Sequence, residues 1–340
     1  MVTAVPLLFV ALAVILLAAE LFTNGVEWIG VRLGLGHGAV GSILAAIGTA
    51  MPETMIPLIA IVFVGGADAS EVGVGAILGA PFLLSTAAFA VTGWGLLVYG
   101  GRRTSGRHLR FDAKAIDRDL SFFFAAYLTG VASSQFPIHE AKIAVAVFLL
   151  AGYGYYVYQA ISNSGEVGGE EELEPLRFFT FSGRRGSPPN WLVWIQVLVA
   201  LGLIIGSAYV FVQEIERVSH ALSVPPLALS LLIAPLATEL PETFNSVIWL
   251  RQGKDTLAMG NISGAMVFQS SIPVSIGIFF TPWELTTTAL IAAAIALGSG
   301  AVAYVQIRRQ GFLTGLELGR AGLLWVGFVV YVIVKIAVGG

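Results

Sequence analysis

Long apolar stretches separated by short polar connections are the dominant pattern along the chain. Ten of them approach or exceed the roughly 20 mostly apolar residues that a helix needs to cross a bilayer. The predicted spans cover residues 3–23, 39–64, 72–99, 119–134, 140–161, 191–213, 225–250, 257–280, 284–306 and 320–338. The first stretch has no basic residue before it and is long enough to span, so we interpret it as a helix and not as a cleaved signal peptide.

Composition excludes a soluble domain. Of the 340 residues, 56% are hydrophobic and 11% are charged, whereas soluble domains have about 25% charged residues. So few charges cannot cover the surface of a soluble protein of this size, and the sequence predicts an all-α membrane protein. The net charge of -3 gives no indication of a nucleic-acid partner, and the absence of cysteine excludes disulfides and thiolate metal sites. No cofactor is expected.

The distribution of lysine and arginine predicts the orientation of these spans. If the N-terminus is outside, the connections on the inner side hold 15 of the 18 basic residues. This asymmetry supports ten spans with both termini outside. The predicted organisation is a first five-helix unit over residues 1–161, a cytoplasmic connection over 162–190 and a second five-helix unit over 191–340.

A Thr-x-x-Pro-Glu-Thr motif occurs twice, with an offset of 189 residues. The copies are residues 49–54 in the second span and 238–243 in the seventh. Each copy is followed in the next span by a Gly-x-x-x-Gly segment, which predicts close helix packing. The predicted packing glycines are Gly75, Gly79, Gly260 and Gly264. Because five is an odd number of spans, the second unit starts from the opposite side of the membrane, and the repeats are inverted.

The repeated motif predicts a cation site inside the membrane. Glu53 and Glu242 lie deep in their spans, where a carboxylate costs at least about 2.5 kcal/mol. The proline before each glutamate frees backbone carbonyls of the preceding turn. Thr49 and Thr238 precede these glutamates by four residues and therefore share their helix face. Carboxylates, hydroxyls and carbonyls together form a hard-oxygen site, suited to Ca²⁺, Na⁺ or protons.

Three further polar residues are candidates for the same site. In the eighth span, Gln269 lies deep enough to offer an amide oxygen, and Asn261 adds a second amide. Glu239 either faces the site or pairs elsewhere. A single Thr-Pro in a membrane helix can be a simple kink, and a threonine can bond its own helix backbone. The occurrence of the motif at equivalent places in both units favours a functional site.

These motifs resemble the α-repeats of the cation/Ca²⁺ exchanger superfamily, of the sodium/calcium exchanger type. Those repeats read roughly Gly-Thr-Ser-x-Pro-Glu, followed by Gly-Asn-x-x-Gly-Ser-Asn-x-x-(Asn or Asp). The resemblance covers the whole chain in architecture, and residues 39–90 and 230–275 in motif. The matching positions are Gly48, Thr49, Pro52, Glu53, Thr238, Pro241, Glu242 and Asn261. The resemblance implies ten helices in two inverted halves, ion coordination by the Glu and Thr positions, and antiport by alternating access.

The chain also departs from the family pattern. Ala50 and Glu239 stand where the motif has serine, and residues 79–84 have lost both asparagines. Gln269 stands at the last position of the second motif. The site is therefore poorer in side-chain oxygens in the first unit than in the second. Coupling to Na⁺, coupling to H⁺ and transport of a different cation all remain open.

The sequence thus predicts a membrane antiporter, not an enzyme, which exchanges Ca²⁺ for Na⁺ or H⁺. No Gly-x-x-x-x-Gly-Lys-Ser/Thr loop for ATP is present, so an ion gradient must drive transport. The expected partners are inorganic cations and the lipid bilayer, with a monomeric transport unit in a prokaryotic plasma membrane. The alternatives are a sensor or scaffold that keeps the fold without transporting, and a passive channel.

Overall fold

The computed structural model describes residues 3–33, 50–103, 105–163, 174–181 and 187–339. Almost all of this part of the chain is helical. The helices are α1 (Ala4–Arg32), α2 (Met51–Leu58), α3 (Ala67–Leu83), α4 (Phe89–Tyr99), α5 (Ala113–Ala132), α6 (His139–Asn163), α7 (Arg177–Phe181), α8 (Asn190–Leu222), α9 (Pro226–Thr238), α10 (Leu240–Arg251), α11 (Asp255–Gln269), α12 (Ile272–Phe280), α13 (Thr287–Gln310) and α14 (Gly315–Gly339). Two π-helical segments extend them: Ile59–Val64 continues α2, and Leu84–Ala88 joins α3 to α4.

Eight helical stretches of the described chain are long and apolar enough to cross a membrane. They are Ala4–Gly30, Ala67–Arg102, His139–Ala160, Asn190–Leu222, Pro226–Arg251, Asp255–Phe280, Thr287–Gln310 and Gly315–Val338. Each of them coincides with a predicted span, which confirms a helical membrane protein.

The other two predicted spans have a different outcome. The fourth span corresponds to α5, a 20-residue helix that is not among the eight apolar stretches. Its first turns carry charged residues such as Arg118 and Asp119. Of the second span, residues 51–64 form a shorter apolar helix, and residues 39–49 lie outside the described residues.

The ends of several helices follow from local chemistry. Before α5, the side chain of Asp112 accepts hydrogen bonds from the backbone N–H groups of Lys114 and Ala115, which satisfies donors that have no partner within the helix. Ser223 ends α8 in the left-handed conformation, with φ 55°. That conformation stops the regular hydrogen-bond ladder and turns the chain toward α9.

A small antiparallel sheet corrects the expectation that the protein contains helices alone. Strand β1 (His108–Leu109) pairs with β2 (Leu313–Thr314). The same connection after α4 contains Arg103, whose guanidinium lies 2.5 Å from a carboxylate oxygen of Asp255. Both side chains of this ion pair are buried. The connections before α5, α11 and α14 are therefore joined at one end of the helix bundle.

The main helix contacts pair distant parts of the sequence. Helix α1 packs along α8, α3 along α9 and α4 along α14. The contact of α3 with α9 is close, because a Cβ atom built on Gly75 would lie 2.6 Å from the backbone oxygen of Leu227. Gly79 faces the backbone of Leu231 in the same way. Both glycines thus lie where two helix backbones approach each other, as small residues do in membrane helices.

Gly260 and Gly264 in α11 have a different environment. A Cβ atom added to either would meet nothing within 4 Å among the described residues. In the repeat, the counterpart of α9 is the segment of residues 38–46 in the first unit, against which these glycines would pack. That segment lies outside the described residues. A packing role for this second pair therefore stays a prediction.

Part of the connection between the two units packs against α1 and α8. The backbone N–H of Phe178 in α7 donates to Gln196 Oε1 of α8 at 2.8 Å, and that of Arg177 donates to Asn24 Oδ1 of α1 at 3.1 Å. Gln196 Nε2 also donates to Asn24 Oδ1 at 3.0 Å. The connection, expected to be a polar loop, thus holds α1 and α8 together through buried amide side chains.

Candidate functional site

Two helix starts at equivalent positions, those of α10 and α2, form the framework of the site. Helix α9 ends at Thr238 and α10 begins at Leu240, with Glu239 between them at φ −90° and ψ −1°. At the offset of 189 residues, Ala50 precedes α2 with φ −82° and ψ 3°. A proline lies in the first turn of each following helix, where its missing N–H is tolerated. Ala50 and Glu239, at the same place in the two motifs, therefore have nearly the same backbone angles.

The last threonine of each motif bonds the backbone at the start of the following helix, a role not predicted from the sequence. The hydroxyl of Thr243 donates to the backbone oxygen of Glu239 at 2.8 Å. The hydroxyl of Thr54 donates to the backbone oxygen of Ala50, also at 2.8 Å. The signal was present in the sequence, because this threonine is part of the repeated motif.

Three glutamates meet at the starts of α2 and α10. One carboxylate oxygen from each of Glu53, Glu239 and Glu242 lies within 4.8 Å of the others. Glu53 is 7% exposed and Glu239 is 0% exposed. The structure brings together the two predicted carboxylates, and it adds Glu239, for which the sequence left two alternatives open. We call these three residues the carboxylate cluster.

The three carboxylates differ in their hydrogen bonds. Both oxygens of Glu239 accept a bond, one from the Thr238 hydroxyl at 3.1 Å and one from Gln269 Nε2 at 2.7 Å. In contrast, the Oε2 atoms of Glu53 and Glu242 are buried without a hydrogen-bond partner among the described residues. A buried polar atom without a partner is costly, so these two oxygens are available for an additional ligand.

Asn261 has a position different from the one expected for a direct cation ligand. Its amide nitrogen donates to the backbone oxygen of Glu242 at 2.9 Å and lies 3.3 Å from the hydroxyl of Ser246. The Ser246 hydroxyl donates to the same backbone oxygen at 2.8 Å. These contacts support the first turn of α10, which carries Glu242. Asn261 therefore acts on the backbone behind the carboxylate cluster.

The two units contribute unequally to the site. The second unit supplies the side chains whose contacts are described above, which are Glu239, Glu242, Thr238 and Gln269. From the first unit the structure places Glu53 in the cluster, while Thr49 lies outside the described residues. Residues 79–84, at the end of α3 and the residue after it, carry no polar side chain where the family motif has asparagines. Among the described residues, the second unit therefore contributes more polar side chains to the site than the first.

The arrangement is suited to hard cations. Three carboxylates provide six oxygens, and Ca²⁺ is bound by about six to eight oxygens. Like charges within 4.8 Å repel strongly in a medium of low dielectric constant. A bound cation relieves that repulsion. Soft metals are disfavoured, because the chain contains no cysteine.

The fold and the cluster together define an integral membrane protein of apolar helices with acidic groups buried between them. The family model "Sodium/calcium exchanger protein" matches residues 3–162 and 192–337. The chain belongs to this family, which confirms the resemblance seen in the motifs. It is accordingly a transmembrane transporter of the exchanger class.

Individual relatives are distant. The chain is 26% identical over 137 residues to the putative antiporter CaxA of Alkalimonas amylolytica, a region that covers 38% of this chain and 43% of that relative. The matched region thus spans less than half the length of this relative.

Solved structures show the same fold. The crystal structure of the H⁺/Ca²⁺ exchanger CAX superposes with a TM-score of 0.68 at 15% identity, covering 98% of this chain and 87% of the other. The sodium-calcium exchanger NCX_Mj superposes with a TM-score of 0.57 at 16% identity, covering 97% and 98%.

Proposed function

We propose that this protein is a secondary antiporter that exchanges Ca²⁺ for Na⁺ or H⁺ across a membrane by alternating access. The observation that carries the proposal is the carboxylate cluster. Its three members come from two helix starts distant in sequence, and two of them have buried oxygens without a partner in the described part of the chain. A cluster of this kind is costly in a membrane unless it binds cations.

The same electrostatics couples the two ion fluxes. An empty cluster holds negative charges close together in a medium of low dielectric constant, which is unfavourable. The protein therefore changes conformation when the charges are compensated by Ca²⁺ or by the competing monovalent ions. Because a ligand shifts a conformational equilibrium only by its differential affinity, exchange follows from the requirement that the cluster be occupied during the change.

The ions named for the similar proteins support this assignment. One similar structure is that of an H⁺/Ca²⁺ exchanger and another is that of a sodium-calcium exchanger. The sequence relative is a putative antiporter from a bacterium. Calcium appears in the names of both exchangers, whereas the coupling ion differs between those names. Ca²⁺ is therefore the proposed substrate, and the coupling ion is Na⁺ or H⁺.

The proposed topology is ten spans in two inverted five-helix repeats with both termini outside. The repeats are residues 1–161 and 191–340, joined by a cytoplasmic connection. The nearly identical backbone angles at Ala50 and Glu239 support the repeat, and the basic residues support the orientation. The proposed setting is a prokaryotic plasma membrane with a monomeric transport unit, in line with the bacterial relative.

Transport measurements in proteoliposomes test this function. Uptake of radioactive Ca²⁺ is measured under an outward Na⁺ gradient and, separately, under an outward H⁺ gradient. We expect uptake under at least one gradient in the wild type, and its loss in Glu53→Gln and Glu242→Gln. The matched control is Glu140→Gln, which removes an exposed carboxylate at the start of α6.

The possible outcomes separate the alternatives. Uptake that requires a gradient and both glutamates establishes an antiporter and identifies its coupling ion. Flux of Ca²⁺ without coupling would indicate a channel. Absence of Ca²⁺ uptake under either gradient, in protein shown to be folded, would reject the Ca²⁺ assignment. Screening other cations would then distinguish a different substrate from a sensor or scaffold.

A further inference from the structure

Gln269 has one half of its amide bound and the other half free. Its Nε2 donates to Glu239 Oε2 at 2.7 Å, while its Oε1 is buried without a hydrogen-bond partner among the described residues. The side chain is 2% exposed. Because Nε2 and Oε1 belong to one amide group, Gln269 Oε1 lies near the Glu239 carboxylate.

A carbonyl oxygen in this environment needs a positive partner. A buried acceptor without a donor is unfavourable, and the neighbouring Glu239 carboxylate repels its negative end. A cation bound at the cluster would satisfy it, because amide carbonyls are common ligands of Ca²⁺. The Oε2 atoms of Glu53 and Glu242 are also buried without a partner among the described residues. Gln269 Oε1 is the uncharged one of these three acceptors.

Glu239 differs from the other two carboxylates because both of its oxygens already accept hydrogen bonds. The Thr238 hydroxyl occupies one and the Gln269 amide occupies the other. A carboxylate held in this way is suited to orient its neighbours and to add negative charge. The identities of residues 239 and 269 are also linked, since a glutamate at position 269 would place two carboxylates at hydrogen-bonding distance.

We propose that Glu239 is a positioning residue, which holds the Gln269 amide so that Gln269 Oε1 binds the transported cation. The pair sets the preference of the site for divalent over monovalent cations, because the charge of Glu239 attracts a divalent ion twice as strongly as a monovalent ion at the same distance. This inference rests on the proposed function in assuming that the cluster binds a cation. It assigns separate roles to two residues that sequence reasoning treated alike.

A charge exchange between the two positions provides the test. Glu239→Gln removes the charge, and Gln269→Glu adds a repelling one. The double variant Glu239→Gln/Gln269→Glu restores both the net charge and a hydrogen bond between an amide and a carboxylate. Residues in one hydrogen-bond network show non-additive effects. We therefore expect each single variant to weaken Ca²⁺ binding by about tenfold and the double variant to recover most of the loss.

A third variant separates ligation from structure. Gln269→Met keeps the length of the side chain but removes the carbonyl oxygen. We expect it to weaken Ca²⁺ binding by about tenfold and to lower the ratio of Ca²⁺ to Na⁺ affinity. A purely structural role would lower the melting temperature without changing that ratio. Unchanged Ca²⁺ affinity in a folded Gln269→Met protein would overturn the inference.

The measurement is made on the purified full-length protein in detergent, without any gradient. Isothermal titration with CaCl₂ gives the Ca²⁺ affinity, and titration in the presence of NaCl gives the competing Na⁺ affinity. Thermal unfolding shows whether each variant is folded. Recovery in the double variant, together with a lower Ca²⁺ to Na⁺ ratio in Gln269→Met, supports the inference even if gradient-driven transport fails. Failure of the double variant to bind better than both single variants overturns it while leaving exchange itself intact.

Discussion

Gly75 of α3 faces the backbone oxygen of Leu227 in α9, and a Cβ atom at position 75 would lie 2.6 Å from it. This contact brings α3 and α9 together near the start of α9, whose other end leads to Glu239. Gly75 therefore belongs to the packing that holds α9 in place.

We expect Gly75→Ala to destabilise the protein. Overpacking against backbone atoms costs about 1–3 kcal/mol, which exceeds the gain of up to about 1 kcal/mol from replacing glycine by alanine in a helix. The measurement is the melting temperature in detergent. Gly202→Ala is the matched control, because a Cβ atom there would meet nothing within 4 Å among the described residues. Equal melting temperatures for both variants would contradict the close contact.

The hydroxyl groups that stabilise the helix interruptions should be needed for cation binding. Thr243→Val keeps the shape of the side chain but removes the bond to the Glu239 backbone oxygen, worth about 0.5–1.5 kcal/mol. We expect weaker Ca²⁺ binding in titration calorimetry, and near-normal binding in Thr243→Ser. Thr54→Val should behave like Thr243→Val, because the two bonds are equivalent.

The control for the hydroxyl variants is Thr129→Val. Thr129 bonds the carbonyl four residues earlier in α5, as Thr243 does in its own segment. Thr129 lies in a regular helix away from the interruptions. If Thr129→Val and Thr243→Val weakened Ca²⁺ binding equally, the effect would belong to helix stability in general and not to the interruption.

Ca²⁺ should stabilise the wild-type protein against heat. A ligand that binds only the folded state stabilises it by about 2.7 kcal/mol at a concentration of 100 times its Kd. We expect CaCl₂ to raise the melting temperature of the wild type and of Glu140→Gln. The same addition should have no effect on Glu53→Gln, because that variant loses a carboxylate of the cluster. A Ca²⁺ effect that persists in Glu53→Gln would place the binding elsewhere.

The buried amide of Gln196 should be needed to hold α7 against α1 and α8. Gln196→Leu removes the acceptor of the Phe178 N–H and the donor to Asn24 Oδ1. Buried groups left without partners cost about 1–3 kcal/mol. We expect a lower melting temperature and faster proteolysis within residues 174–181. Gln159→Leu is the control, since Gln159 Nε2 bonds Tyr155 within the same helix; equal proteolysis in both variants would contradict the role of Gln196.

Several features of the site were predictable from the sequence because they depend on local properties. Whether about 20 apolar residues span a bilayer depends on their own hydropathy and not on neighbouring helices. Eight spans are therefore found where hydropathy placed them. Proline is favoured in the first turn of a helix, so the starts of α2 and α10 agree with the positions of Pro52 and Pro241. The repeat of the motif indicated that Glu53 and Glu242 belong to one site.

Other features depended on how distant helices cross. The sequence left the orientation of Glu239 open, since a residue at a helix interruption can turn toward several neighbours. Gln269, at the end of α11, bonds Glu239 between α9 and α10. The contact of α11 with α10 turns Asn261 toward the backbone of α10, although its motif position suggested a direct ligand. Side-chain direction in such cases is set by helix packing and not by spacing along the chain.

The sequence by itself determined the class of protein, the places where the membrane helices are interrupted, and the residue types that bind hard cations. These depend on transfer free energies and backbone restrictions that act over a few residues. The tertiary structure alone decided which third carboxylate joins the cluster, which amide faces it, and how α7 binds α1 and α8. These contacts join residues 18 to about 190 positions apart, and their free energy depends on geometry that only the folded chain provides.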